Sequence, residues 1–372
     1  MLAAGTTAQA SFSTVTFAIA VLAPALREEY DLSLTQVGVV LTAEWIGLTL
    51  SLLPWGFAAD RFGERWTLAV GLVGCGVCLA GAAFAPDFAS LVALLLLGGA
   101  LGGSVQSGSG RAVTSWFGRD ERGLALGVRQ TAVPVGGLIA AVAIPLLGDP
   151  RSGFLFLSGL VFVGALVGVL VLRSGAEHEL EATDVEWTVR DRRLWVVCAA
   201  SGLYVVPQVA LMGFVVLFLH DARGFATASA AAVLAVSQAL AAALRIGVGR
   251  WSDLIGSRVR PLRLIGIGVA VMLAVVAVTA VRDAWILVPA IAIATALSMA
   301  WNGLSFTIAA EIGGSRSGAA IGIQQTALAA AGILVPVAFA AAVSATSWQV
   351  AFLLVAVFPL AGWLTLRPLV GH

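Results

Sequence analysis

The sequence contains no lysine: all 21 of its basic residues are arginine. Charge of either sign is scarce, at 11% of 372 residues, whereas soluble domains carry roughly a quarter. With 60% hydrophobic residues, this excludes a soluble domain and leaves a polytopic membrane protein. A net charge of +1 without a concentrated basic face gives no footing for nucleic acid. A chain without lysine cannot build the glycine-rich phosphate loop that ends in lysine. Arginine does not readily shed its charge, so each one inside a membrane needs a reason. The three cysteines, Cys75, Cys78 and Cys198, all lie in apolar runs, which argues against a disulfide framework or a zinc site. The spacing of Cys75 and Cys78 is that of a redox pair, but their all-apolar surroundings favour small packing residues. His178, His220 and His372 fall in loops or at the terminus. No metal cluster, cofactor or membrane-face catalytic constellation can be assembled from these residues, and the chain is not expected to be an enzyme.

What is present in abundance is long apolar runs. A membrane-crossing helix needs about 20 mainly apolar residues, and twelve such spans can be drawn, at about 5–26, 34–59, 66–86, 88–116, 122–147, 152–172, 194–219, 225–250, 262–281, 284–310, 317–344 and 347–366. The first lacks a basic leader and is longer than a signal core, so it is taken as span 1 of the mature protein. If the turn at Asp60 is cytoplasmic, that side collects fourteen arginines, and the opposite loops hold four, Arg27, Arg151, Arg223 and Arg282. The positive-inside rule then puts both termini in the cytoplasm. The other three arginines, Arg111, Arg129 and Arg245, lie within spans.

The chain repeats itself. GFAADRFGER, from Gly56 to Arg65, returns as GRWSDLIGSR, from Gly249 to Arg258. Gly56, Asp60, Gly63 and Arg65 share their spacing with Gly249, Asp253, Gly256 and Arg258, and Leu254 replaces Arg61 in the second copy. Each copy falls where a tight polar turn must join two spans, with glycine for close backbone approach and an acid and a base able to pair. A second echo relates Gly123, Gly127, Gln130, Thr131 and Gly137 of span 5 to Gly318, Gly322, Gln325, Thr326 and Gly332 of span 11. The longest polar segment, 173–193, separates six spans from six. The expected domains are therefore an N-terminal six-helix bundle over 1–172, a cytoplasmic linker over 173–193 and a C-terminal bundle over 194–372.

Polar residues are unevenly spread over the spans. Spans 3, 6 and 9 carry no asparagine or glutamine, and span 12 has only Gln349 near its outer end. Amides appear instead as Gln9, Gln106, Gln130, Gln208, Gln238, Asn302, Gln324 and Gln325, on spans 1, 4, 5, 7, 8, 10 and 11. An unpartnered amide in hydrocarbon is costly, so spans 3, 6, 9 and 12 are expected to face lipid while the others face helices or a wet cavity. Glu44, ten residues into span 2, lies near the midplane, where it is either a proton carrier or a buried structural hydrogen-bonding group. Arg111 and Arg129 each allow two readings, substrate contact or snorkelling to the inner interface. Arg245, close to the second turn, is expected to snorkel.

The duplicated turn resembles the signature of the major facilitator superfamily of transporters, and the resemblance extends over essentially the whole chain. It implies an all-α membrane protein of twelve helices in two pseudo-symmetric six-helix bundles, with the substrate site near the midplane between halves. It also implies that helices 1, 4, 7 and 10 line the cavity and that the signature turns form cytoplasmic charge networks, which makes Gly56, Asp60, Arg61, Gly63, Arg65, Gly249, Asp253, Gly256 and Arg258 the conformational switch. Two departures matter. Gly98 and Gly99 stand where the family often has an arginine early in helix 4. Pro134, Gly136 and Gly137 resemble the motif of drug and proton antiporters, but Val133 replaces a glycine and the spacing is one residue short, which lowers that alternative, an efflux pump. The stretches 110–137 and 243–253 resemble bacterial cyanate permeases and nitrate or organic anion porters. The resulting expectation is a secondary transporter of a small organic or inorganic anion, working by alternating access, with Glu44 coupling it to protons. Arg111 and Arg129 are the expected substrate contacts, with Gln130, Tyr204, Gln208, Asn302 and Gln325 as neutral partners. The partners expected are a small anionic solute, protons and the lipid bilayer of the inner (plasma) membrane, with the protein a monomer.

Overall fold

The computed structural model describes residues 2–105, 131–171, 190–280, 284–314 and 317–369, and every described element is helical. They group into two compact units, Met1–Glu179 with Leu219–Ala235, and Leu180–Phe218 with Val236–His372. The main boundary falls inside the polar segment predicted as the linker.

Unit 1 holds α1 (Leu2–Glu29), α2 (Leu34–Ala82), α3 (Phe88–Gly102), α4 (Ala132–Leu147) and α5 (Pro150–Val171). The start of α2 is fixed locally. The Ser33 side chain accepts from the Gln36 backbone N–H, and the Gln36 side chain accepts from the Ser33 N–H, a reciprocal cap that satisfies two orphan donors. Asp87 and Ser90 repeat the device at α3, and the Ser90 backbone N–H holds the Asp87 carboxyl below its ordinary range. Predicted spans 2 and 3 form the single long helix α2, broken at Gly63, whose φ of 78° is left-handed. The polar turn joining two spans is thus made by one glycine. Backbones of α2 and α3 touch beside Glu44: a Cβ placed on Gly99 would lie 2.2 Å from the Glu44 carbonyl oxygen. Small residues allow such crossings where no water drives helices together. Gly99, one of the two glycines standing where the family often has an arginine, thus has a packing role.

Unit 2 holds α6 (Arg192–Leu217), which runs into a π-helical turn at Phe218, and most of α7 (Thr227–Leu254). It continues with α8 (Val259–Thr279), α9 (Ala284–Ala300), α10 (Asn302–Gly313), α11 (Ser317–Ile333), α12 (Val335–Ala345) and α13 (Trp348–Thr365). Asp191 caps α6 by accepting from the Arg193 N–H, and the Arg193 guanidinium beside it lowers the Asp191 pKa. Predicted span 10 is α9 followed directly by α10 through Trp301, and span 11 is α11 followed directly by α12 through Leu334, both joints keeping right-handed helical backbone angles. Phe214, Phe218, Phe339, Trp348 and Phe352 pack where α6, α12 and α13 meet, with Phe214–Phe339 ring centroids 5.1 Å apart.

Ten described segments are long and apolar enough to cross a membrane, and α3 and α4 are shorter apolar helices. The spans in α1 and α6 are the most enclosed and those in α7 and in α11 with α12 the least, so burial does not separate spans 6 and 12 from spans 8 and 11; α5 and α13 expose rows of apolar side chains such as Leu155, Phe162, Leu166 and Leu170, and Leu353, Leu354, Val357 and Leu364. Exposed apolar faces of that size suit hydrocarbon rather than water. Cys75, Cys78 and Cys198 are buried free thiols.

Candidate functional site

In unit 1 the buried acid among the described residues is Glu44. It is 3% exposed and accepts a hydrogen bond of 2.6 Å from the Thr16 hydroxyl of α1. Cys75 and the backbone of Gly99 lie close to it. A carboxyl placed so far from solvent is a functional candidate by position alone.

In unit 2 two groups of polar side chains are joined by hydrogen bonds between helices. The first joins α6, α10 and α11. Gln324 donates to Ser201 at 2.9 Å and to Ser305 at 3.0 Å, and its oxygen accepts from Gln325 at 2.7 Å. The Ser201 hydroxyl donates to the Val197 carbonyl, so in the 2.6 Å contact between the two serines Ser305 is the donor. The bonds then run one way, from Gln325 through Gln324 and Ser305 to Ser201. Below them Leu194, Cys198, Ala309 and Ala320 make a small apolar core. The second group sits where α9 passes into α10. Asn302 donates to the Gln208 side-chain oxygen at 3.0 Å and to the Met299 carbonyl at 3.3 Å. Arg245 Nε donates to the same Met299 carbonyl at 2.9 Å.

The predicted residues therefore part company. Gln208 and Asn302 meet each other, and Gln325 ends the amide and hydroxyl chain. Tyr204 is 1% exposed, its hydroxyl donates to the Leu262 carbonyl at 3.3 Å, and its ring lies against Gly266, Gly362 and Trp301. Tyr204 thus joins α6 to α8 and α13. Arg111, Arg129 and Gln130 lie outside the described residues. Arg245 does not reach for the interface. It stands nine residues from the Leu254 end of α7, about 14 Å, while Met299 is fourteen from the Gly313 end of α10, about 21 Å. Both ends lie on one side, because Arg258 just beyond α7 contacts Glu311 of α10 at 3.3 Å. Helical side chains lean toward the N-terminus of their helix, which carries this guanidinium deeper into the span.

The two signature turns share their backbone device: Gly63 and Gly256 are both left-handed, with φ of 78° and 60°. In the second copy Arg258 pairs with Asp253, donates to Ser252 at 2.6 Å and reaches Glu311, while Gly249 bonds through its carbonyl to the Ser252 hydroxyl at 2.7 Å. In the first copy Gly56 lies within α2, and Arg61 and Arg65 sit over the rings of Phe62 and Trp66, at 5.5 and 5.7 Å. The side chain of Asp60 lies outside the described residues.

Ser201, Ser305 and Gln324 were not singled out as site residues by sequence. A signal existed in the seven-residue spacing of Ser201 and Gln208, which puts both on one stripe of an otherwise apolar helix.

A chain of many membrane-crossing helices with a duplicated polar turn has the organisation of a membrane carrier. It belongs to the Major Facilitator Superfamily, whose profile matches residues 5–336, and it is an integral membrane transporter of small solutes rather than an enzyme. It is 34% identical over 356 residues to an uncharacterised MFS-type transporter of Mycobacterium tuberculosis, covering 92% of this chain and 79% of that protein. It is also 26% identical over 357 residues to a probable sulfoacetate transporter of Cupriavidus necator, covering 86% and 81% of the two chains. A bacterial homologue of the human lysosomal transporter Spinster, in an inward-facing and occupied conformation, shares the fold at a TM-score of 0.82 and 14% identity, over 98% of this chain and 95% of that one.

Proposed function

We propose that the protein is a secondary active carrier of a small anion, a carboxylate or an inorganic oxyanion, working by alternating access and coupled to protons through Glu44. The observation that carries this reading is the likeness, along most of both chains, to a probable sulfoacetate transporter, whose named substrate is a dianion bearing a carboxylate and a sulfonate. The charge inside the spans supports it: Arg111, Arg129 and Arg245 stand against the single mid-span carboxyl Glu44, a balance that suits a ligand of negative charge. A carrier of organic cations calls for the opposite balance. Glu44 is the proton site in this reading, since its carboxyl is buried against Thr16 and no other acid lies at that depth in the sequence. The switch residues are those of the two turns, with Asp253, Arg258 and Glu311 as the ionic group of the second. The protein sits in the inner membrane with both termini cytoplasmic, on the asymmetry of the loop arginines.

The test is counterflow in proteoliposomes, where only a carrier exchanges labelled for unlabelled solute. Sulfoacetate, D-glucuronate and nitrate are the anionic probes, and ethidium and tetraphenylphosphonium the cationic ones. Exchange of at least one anion and of neither cation is expected. Exchange of the cations alone overturns the reading.

A further inference from the structure

Arg27, Arg193 and Arg258 each pair with carboxylates: Asp221, Asp191, and Asp253 with Glu311. Arg263 and Arg367 meet a tryptophan instead. Arg263, in the second turn of α8, donates from Nε to the Trp363 carbonyl at 3.2 Å and lies 5.0 Å from the centre of the Trp363 ring. Arg367, just beyond the end of α13, lies 5.0 Å from the same ring. The two positive charges are therefore within about 10 Å of each other, one Debye length at 0.1 M salt, and repel. Neither α8 nor α13 contains an acidic residue to offset them, and neither guanidinium forms an ion pair with an acid among the described residues. The indole face attracts a cation but carries no net charge. Such a pair is matched by an anion, and the fork of arginine suits phosphate oxygens.

The place of the pair says what carries the phosphate. Trp363 lies two residues from the end of α13, and tryptophan at a helix end marks the headgroup level of a membrane. From there an apolar stripe descends α13 at intervals of three and four residues, through Leu364, Leu360, Val357 and Leu353, each 41–60% exposed. On neighbouring α8, Leu264 and Val271 are exposed as well, and the two helices touch where Gly266 meets the Pro359 carbonyl. The stripe from Leu364 to Leu353 is about 16 Å long, about half of the 30 Å hydrocarbon core, which is the depth of one leaflet. A pair of cations at headgroup level above an apolar track of that depth fits a molecule with an anionic head and acyl tails.

We propose that Arg263, Trp363 and Arg367 form a binding site for an anionic phospholipid, whose phosphodiester lies against the two guanidiniums and whose acyl chains follow the exposed faces of α8 and α13. The site is on the side of the second turn, the cytoplasmic leaflet in the orientation given above, and it does not depend on what the carrier transports. Bound there, the lipid bridges the start of α8 to the end of α13 and offsets the repulsion between the two charges.

Delipidated wild type, Arg263→Gln, Arg367→Gln and the double variant are titrated in mild detergent with dioleoyl phosphatidylglycerol, dioleoyl phosphatidylcholine or inorganic phosphate. Lipid adducts are followed by native mass spectrometry and stability by thermal melting. Arg151→Gln, which removes a single guanidinium stacked on Phe84 in unit 1, controls for net charge. Phosphatidylglycerol should half-occupy wild type and Arg151→Gln at a concentration at least about tenfold lower than it does the double variant, and should raise the melting temperature of the first two only. Phosphatidylcholine and millimolar phosphate should do neither. If the double variant fails to fold, Arg367→Gln decides, since that side chain is exposed and its loss alone should weaken binding about fivefold. Equal binding of phosphatidylglycerol to wild type and to the variants of Arg263 and Arg367 overturns the site, as does an equal loss in Arg151→Gln. A melting shift reproduced by inorganic phosphate alone overturns the lipid assignment. None of these outcomes touches the anion reading, which counterflow tests separately.

Discussion

Replacing Glu44 by glutamine removes one ionisable proton and disturbs little else. The carboxyl oxygen Oε1 accepts the Thr16 hydroxyl at 2.6 Å, and the side-chain oxygen of glutamine can accept the same bond. The close helix crossing beside it involves the Glu44 backbone and Gly99, which the substitution does not touch. The change in folding stability should therefore stay below about 1 kcal/mol, the net worth of one hydrogen bond. The effect on transport should be far larger. One proton moving down a pH difference of one unit supplies about 1.4 kcal/mol, which sustains about a tenfold accumulation of a monovalent anion carried with it electroneutrally. Proteoliposomes with an inward pH step of about one unit should approach that ratio with the wild type and stay near unity with Glu44→Gln, while counterflow at equal pH persists in both. Accumulation that survives the substitution refutes the coupling role. Loss of counterflow together with accumulation, in a variant that melts normally, would instead put Glu44 in substrate binding.

Two further substitutions test the packing that holds unit 2 together. Gln324→Leu removes the bonds to Ser201, Ser305 and Gln325. The bonds to Ser201 and Ser305 are interhelical, and at about 0.6 kcal/mol each in a membrane protein, unfolding in mixed micelles of rising dodecyl sulfate content should show a loss of about 1 kcal/mol, and an unchanged midpoint would mean that these bonds contribute nothing to stability. Gly266→Ala drives a Cβ to 2.5 Å from the Tyr204 hydroxyl oxygen and 2.9 Å from the Pro359 carbonyl oxygen. The second of these is a backbone atom that cannot rotate away, so the same assay should show a loss of about 1–3 kcal/mol, whereas wild-type stability would mean that α8 and α13 can move apart freely.

The sequence by itself determined the class of the protein, because membrane crossing depends on length and apolarity summed over a local window, and because a duplicated turn can be recognised without knowing what it touches. The left-handed Gly63 and Gly256 were legible for the same reason: a reversal of direction between two spans is a local backbone demand, and glycine at matched positions meets it. Gln208, Asn302, Gln324 and Gln325 were legible as groups that need partners, because hydrocarbon offers none, and each has one. What the tertiary structure alone decided is which of them meet. Tyr204 and Gln208 are one turn apart on α6, yet the first turns to Leu262 and Gly266 and the second to Asn302, a division set by which helix lies against each side of α6. Arg245 was expected to reach the interface because its distance from the nearby turn can be counted along the chain. Its actual direction depends on the lean of helical side chains and on a carbonyl of another helix, Met299. Contacts between helices far apart in sequence are set by how their faces meet, and no local pattern encodes that.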